Sequence, residues 1–276
     1  MRALVVAAAV IACFACAAPP AAARTVTSHA GGVDATLRYH MRDTFYPVLE
    51  RLKIARNGET LVNRKPRPRA CRPYTCQPTI GFGAKAVIAR DLDAHGEPEV
   101  VYNSYWGGAH CCFIAQVYRY DPGRGRYRTT SRNFGDLSYN LRDLERDGRV
   151  EWMSADQRVA YAFASFAFSG FPIRIWHFRH GRFIDVTKQY PGRIRRDGHR
   201  HWRAYRRLRH RRDGEQRGVV AAWAGDRYLL GKRRQARRVL RREVRRGHLD
   251  GYNWDGRTSG RRFVRRLDRF LRKRGY

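Results

Sequence analysis

Apolar and polar residues alternate with period two in short runs as far as about residue 190, and apolar residues recur every three to four residues after it. "VDATLRY" alternates as a half-buried strand does. "LKIARNGETLV" sets two β-prone runs around Asn57-Gly58, which predicts a hairpin. "AKAVIARDLD" and "EPEVVYNSYW" predict strands on either side of an acidic turn. "CCFIAQVYRYDPGRGRYRTT" predicts two more strands around a Pro-Gly turn. "LSYNLRDL" and "VEWMSAD" bracket a second acidic turn, and "IRIWHFRHGRFIDVT" predicts a hairpin turning near His180-Gly181. The Pro- and Arg-rich "NRKPRPRACRPYTCQP" predicts an exposed loop.

From about Pro191 the period becomes helical. Trp202, Tyr205 and Leu208 lie three apart, and "VVAAWAGDRYLLG" is an apolar helix that stops at Gly231. Ala236, Val239, Leu240 and Val244 form one stripe ending at Gly247. Thr258 or Ser259 caps a last helix with Phe263, Leu267, Phe270 and Leu271 on one face. The expected fold class is α+β: an N-terminal, mainly antiparallel β region containing two similar β units, then a C-terminal small helical bundle.

Met1-Arg2, an apolar run from Ala3 to Ala18, Pro19-Pro20 and Ala21-Ala22-Ala23 together have the form of a secretory signal peptide cut after Ala23. Cutting at the lipobox-like Val10–Cys13 would leave a very short apolar core, so ordinary secretion is the preferred reading. After the signal no stretch is long and apolar enough to cross a bilayer. "VAYAFASFAFSGFPI" comes closest and is broken by Ser, Gly and Pro. The expected division is residues 1–23 signal peptide, 24–78 a β-hairpin region with a Cys-containing loop, 79–190 two β repeats, and 191–276 a basic helical domain.

Removal of the signal leaves Cys71, Cys76, Cys111 and Cys112. Four cysteines in an oxidising compartment predict two disulfides. Neighbours on a strand point to opposite faces, so Cys111 and Cys112 are expected to bond separately to Cys71 and Cys76. Zinc is the competing reading because His110 stands beside them; export and the even count favour disulfides.

Charge adds a second asymmetry. The chain has 57 Lys+Arg against 24 Asp+Glu, a formal net charge of +33. Residues 188–276 contain 31 of those cations and 8 of those anions, a net of +23. Such a field raises affinity for polyanions without naming one, and a charge run is ordinarily a solvated face.

Against this excess the scarce acids recur in one frame. "DLDAHGEPEV" begins at Asp91 and "DLERDGRVEW" at Asp143, 52 residues later. Carboxylates at alternate positions of a tight loop converge on one point, a Gly permits the turn, and a late Glu closes a cage for a hard cation such as calcium. Asp91, Asp93 and Glu99, with the Glu97 carbonyl, fit that scheme in the first turn; Asp143, Glu145, Asp147 and Glu151 fit it in the second, the chemically more complete of the two. His95 is a softer donor than a carboxylate. These residues resemble the loops of FG-GAP and VCBS-type repeats, in which Asp-x-Asp-x-Asp-Gly-x-x-Asp/Glu joins two strands. The resemblance covers roughly residues 80–190 and implies two β units whose calcium is structural. "YWGGAHCCF" and "FLRKRGY" are similar to stretches of a group of exported actinobacterial proteins, a resemblance that implies no activity.

Enzyme motifs are missing. No Gly-x-Ser-x-Gly, His-Glu-x-x-His or phosphate-binding Gly loop occurs. His110 beside two cysteines would need a free thiolate, which disulfides remove. His177, His180, His199 and His201 lie among arginines with no evident orienting acid. Tyr and Trp with Arg, as in "SYWGG" and "AYAFASF", suit sugars or anionic polymers; nucleic acid is not favoured for an exported chain. The expected function is an exported, non-catalytic binding or structural protein of the cell envelope or extracellular space. Its expected cofactor is structural calcium, and its expected partner an anionic cell-wall polymer, lipid or glycan. The alternative is a secreted hydrolase using the β-region cleft.

Overall fold

The computed structural model describes residues 22–71, 75–80, 84–108, 110–211, 213–253 and 256–276. The signal peptide expected over residues 1–23 lies, except for its last two residues, outside the described residues.

Three antiparallel sheets follow one another along the chain. Strands β1 (Arg24–Ala30), β2 (Val33–Met41), β3 (Pro47–Arg56) and β4 (Glu59–Arg64) form a meander. The β3–β4 hairpin turns at Asn57-Gly58, both with positive φ (49° and 83°), as a tight two-residue hairpin requires. The second sheet contains β5 (Gln77–Pro78), β6 (Val87–Arg90), β7 (Glu99–Gly108), β8 (Cys111–Asp121) and β9 (Arg126–Asn133). Here β5 and β6 share one edge of β7, pairing with Ser104–Tyr105 and Glu99–Tyr102 respectively. The third sheet is a meander of β10 (Asn140–Arg142), β11 (Glu151–Ala155), β12 (Ile173–Arg179) and β13 (Arg182–Asp185). Its last hairpin turns at His180-Gly181, again with both φ positive.

The sheets stack through their apolar faces, with the second in the middle. Val100, Tyr102 and Tyr118 face a core shared with Leu37, Leu52 and Ile54 of the first sheet. Val101, Phe113, Ala115 and Val117 face the opposite way, onto Trp152, Trp176 and Phe178 of the third. This explains why β7 and β8 lack clean alternation: a strand covered on both faces is apolar on both. The buried Asn103 amide there is bonded on both sides, donating to Lys85 O at 2.8 Å and accepting from the Tyr139 hydroxyl at 2.9 Å.

Helices α1 (Pro191–Leu208), α2 (Gln216–Leu229), α3 (Arg233–Arg245) and α4 (Gly260–Lys273) follow, with a small hairpin of β14 (Gly251–Asn253) and β15 (Gly256–Thr258) before α4. Ser259 caps α4 by accepting from the Arg262 N–H. The α+β class with a helical C-terminal part is thus the observed architecture. Tyr205, Val220, Ala224, Leu240, Phe263, Leu267 and Leu271 form the helical core. Arg217 of α2 is inside it, 1% exposed, and donates to the carbonyls of Leu249 and Thr258.

Three features differ from the reading by pattern. β1, "RTVTSHA", is a largely exposed edge strand whose polar residues hid its alternation. β14 and β15 are too short to register as periodic. "AYAFASF" is not a strand: residues 157–172 run through turns and two short 3₁₀ segments, Gln157–Val159 and Phe166–Phe168, and pack on the helices. Phe163 meets Phe263 and Phe270 edge-on at 5.6 and 5.2 Å. The close approach depends on Gly218, where an added Cβ would fall 2.3 Å from Phe168 O.

A polar knot ties the third sheet to the C-terminal part. The Asp156 carboxylate accepts from Arg158 Nε at 2.7 Å, Arg174 at 3.1 Å and the Tyr276 hydroxyl at 2.7 Å, while the Arg174 guanidinium lies 4.3 Å from the Tyr276 ring centre. Burial raises the Asp156 pKa, but the Arg158 and Tyr276 bonds and the Arg174 charge outweigh it and hold the group at about 2. A depressed carboxylate stabilises the fold above its unfolded pKa, and that contribution is lost as pH falls through the folded value. Tyr276→Phe is therefore expected to cost about 1 kcal/mol in urea unfolding at neutral pH, with the deficit shrinking between about pH 4 and pH 2.

Candidate functional site

The two acidic segments adopt one loop geometry. The first joins β6 to β7 and the second joins β10 to β11. Asp91 accepts from the N–H groups of His95 (3.2 Å) and Gly96 (2.7 Å); Asp143 accepts from those of Asp147 (3.2 Å) and Gly148 (3.0 Å). Positive φ recurs at equivalent places, 58° and 59° at Ala94 and Arg146, 80° and 83° at Gly96 and Gly148. Each late Glu closes its own loop: Glu99 accepts from the Leu92 N–H at 3.0 Å, and Glu151 from the Leu144 N–H at 2.6 Å. The loops also touch, because the Val150 N–H donates to Leu92 O at 3.1 Å.

Their electrostatics differ. In the first loop one carboxylate oxygen from each of Asp91, Asp93 and Glu99 lies within 4.8 Å of the others. Asp93 Oδ1 is 3.0 Å from the His95 ring, but Asp93 Oδ2 is buried with no hydrogen-bond partner. Glu99 is 1% exposed, and Arg119 stands 3.7 Å from it. Burial, reinforced by the Asp93 and Asp91 charges against the Leu92 bond, pushes Glu99 up to about 8. The Glu97 side chain is turned away from the loop and pairs bidentately with Arg56, both bonds 2.9 Å, linking β3 to the first loop.

The second loop has its own side-chain partners. Asp147 pairs with Arg149, which donates from Nε at 2.6 Å, and Glu151 Oε1 is 2.9 Å from His177 Nε2. Among the described residues, Asp143, Glu145, Asp147 and Glu151 do not gather into a ligand group as the first-loop acids do. The structure brings together the set at residues 91–99, which by residue type was the less complete. Arg149 was visible two residues from Asp147; His177, 26 residues from Glu151, gave no local signal.

A second locus lies between α1 and the third sheet. An open cleft of about 1040 Å³ is lined on one side by Arg193, Arg196, Arg200, Arg203 and Trp202, and on the other by residues of the 136–140 and 153–155 segments. The four arginines share one face of α1. Arg200 pairs with Asp197. Among the described residues, Arg193, Arg196 and Arg203 have no carboxylate partner. Behind them His201 is held by Asp226 of α2 at 2.8 Å, so this histidine has an orienting acid after all, 25 residues away in sequence.

The Cys–His candidate of the hydrolase reading centres on His110. His110 Nδ1 is 3.8 Å from Asp136 and its ring packs on Phe166 at 4.2 Å. The structure sets Cys71 beside Cys76, in ordinary bridge geometry with Cα atoms 5.5 Å apart, rather than beside Cys111 or Cys112. The β7–β8 register shifts between Tyr105 and Gly108, next to Cys111 and Cys112.

No family model matches the chain, and no solved structure matches it. Two curated proteins are similar to parts of it. One is an uncharacterised protein of Sinorhizobium fredii, 30% identical over 150 residues, covering 53% of this chain and 23% of that protein. The other is a probable thylakoid lumen protein of Synechocystis, 29% identical over 139 residues, covering 49% of this chain and 40% of that protein. The chain thus spans less than half the length of either relative.

Non-reducing peptide mapping is expected to find Cys71 linked to Cys76 within one peptide. A bridge from either to Cys111 or Cys112 would restore cross-pairing between the loop and β8.

Proposed function

We propose that this is an exported, non-catalytic binding protein of the cell envelope or extracellular space, whose α1 cleft takes an anionic wall polymer or glycan. The observation that carries this reading is the row of Arg193, Arg196 and Arg203, which have no carboxylate partner among the described residues, along one wall of an open cleft. Guanidinium groups without a protein counter-ion are ready donors to phosphate, sulfate or carboxylate. Trp202 supplies an aromatic surface beside them, and the opposite wall offers Ser138, Asn140 and Ser154 to hydroxyls. Export is supported by the leader-like residues 1–23 and by the lumenal name of the Synechocystis relative.

We further infer that the two acidic loops are FG-GAP-like braces and that the first holds a calcium ion. Asp91, Asp93 and Glu99 would supply its oxygens, and the unpartnered Asp93 Oδ2 is the feature that fits a cation. The ion would neutralise carboxylates that the folded chain otherwise buries at a cost. In the second loop Arg149 pairs with Asp147 and His177 bonds Glu151.

Two experiments test these readings. Binding to an immobilised glycerol-phosphate polymer should weaken steeply as salt rises. The triple substitution Arg193→Ala, Arg196→Ala, Arg203→Ala should reduce affinity by about tenfold or more; equal binding by both proteins would place the contact elsewhere. Calcium at saturating concentration should raise the melting temperature of the unsubstituted protein. Asp93→Asn should abolish that rise, while Asp143→Ala should lower the baseline Tm and leave the rise intact. A melt indifferent to calcium and chelator would mean that hydrogen bonds alone close both loops.

A further inference from the structure

Asp197 and His201 lie one turn apart on the buried face of α1, and Asp226 reaches them from α2. Gly198 makes room for this approach: a Cβ at that position would stand 3.3 Å from Asp226 Cβ. The three side chains are 4%, 7% and 0% exposed, and one donor atom from each lies within 4.8 Å of the other two. His201 Nδ1 is 2.8 Å from Asp226 Oδ2 and 3.7 Å from Asp197 Oδ2. Asp197 is oriented by the Ile173 N–H at 2.8 Å and by Arg200.

The hydrogen-bond inventory does not close around this group. One imidazole nitrogen faces two carboxylates and has at most one proton to give. Asp226 Oδ2 is the nearer carboxylate oxygen, at 2.8 Å. Asp226 Oδ1 is fully buried and has no partner, an omission that ordinarily costs about 1–3 kcal/mol. A metal ion removes the shortage, because a cation accepts lone pairs from all three residues at once. Imidazole with two carboxylates is the donor set of borderline transition metals; calcium takes oxygens alone. Asp-x-x-x-His places both α1 donors on one side of a helix turn. Asp197 also lines the cleft, which provides a route in and a side from which water can complete the coordination.

We propose that Asp197, His201 and Asp226 form a three-ligand site for a divalent metal of the zinc class, buried between α1 and α2. The Ile173 N–H and Arg200 orient the Asp197 carboxylate, and the ring Nδ1 gives up its proton when the metal binds. This site is independent of the calcium reading: it uses other residues, in another part of the fold, with a nitrogen donor.

The test uses the full mature chain, freed of metal by chelation and titrated with zinc chloride, then with cobalt chloride for its visible spectrum. The unsubstituted protein is expected to bind one more equivalent than His201→Gln, and cobalt is expected to give ligand-field bands that His201→Gln lacks. Asp93→Asn should keep both signals. Gly198→Ala leaves all three ligands in place but crowds Asp226, and is expected to weaken zinc binding about tenfold. Should His201→Gln fail to fold, the imidazole nitrogen spectrum of the unsubstituted protein decides: zinc should remove the His201 Nδ1 proton signal and shift that nitrogen. Equal stoichiometry in the unsubstituted protein and His201→Gln, or an unchanged His201 nitrogen at saturating zinc, would overturn the proposal.

Discussion

A carboxylate at the first position of a buried strand has to be satisfied on the spot, and this requirement organises the β region. Glu99 and Glu151 are each 1% exposed. Each is bonded by the N–H seven residues before it, at Leu92 and Leu144. That bond fixes the loop, the loop fixes where β7 and β11 begin, and the Val150–Leu92 contact fixes one loop against the other. The aromatic core between the second and third sheets, around Trp152, Trp176 and Phe134, then has a defined register to pack in. Loss of either Glu would leave the Leu92 or Leu144 N–H without its side-chain acceptor, so the loop closure and the acid group cannot be separated by a single substitution.

The features legible in the sequence were those with local causes. Asn57-Gly58 and His180-Gly181 announce their hairpins because two-residue turns need positive φ at both positions. The last helix announces itself through Ser259 and its apolar stripe. The acidic frame showed the loops because Asp-to-backbone bonds and Gly turns are local too. Hidden were the features whose partners lie far along the chain. The partner of Glu151 is His177, the acid for His201 is Asp226, and the surface receiving Phe163 is Phe263 and Phe270. Residue type ranked the second acidic loop above the first; among the described residues the first-loop acids converge, while Arg149 and His177 bond those of the second.

The arginine excess is not one population. Arg217 is a core residue that bonds backbone carbonyls, a task for which a five-donor fork is suited. Arg132 stacks on Trp176 at 3.9 Å, and burial lowers its pKa to about 10. Arg56, Arg149 and Arg158 neutralise named carboxylates. Arg193, Arg196 and Arg203 have no carboxylate partner among the described residues, and a cleft adjoins them. Net charge is therefore a poor guide to where an anion would sit; pairing is the better one.

The segment from 157 to 172 lies on the β side of the boundary that composition suggests, yet its apolar side chains belong to the helical core. Val159 and Phe163 are as much a part of that core as Leu240 or Leu267. A cut near residue 190 would leave the helices without one wall and would leave the sheets trailing an apolar strip into water. The two halves differ in charge and in periodicity, as if joined from separate sources, but they share a seam that neither can close alone.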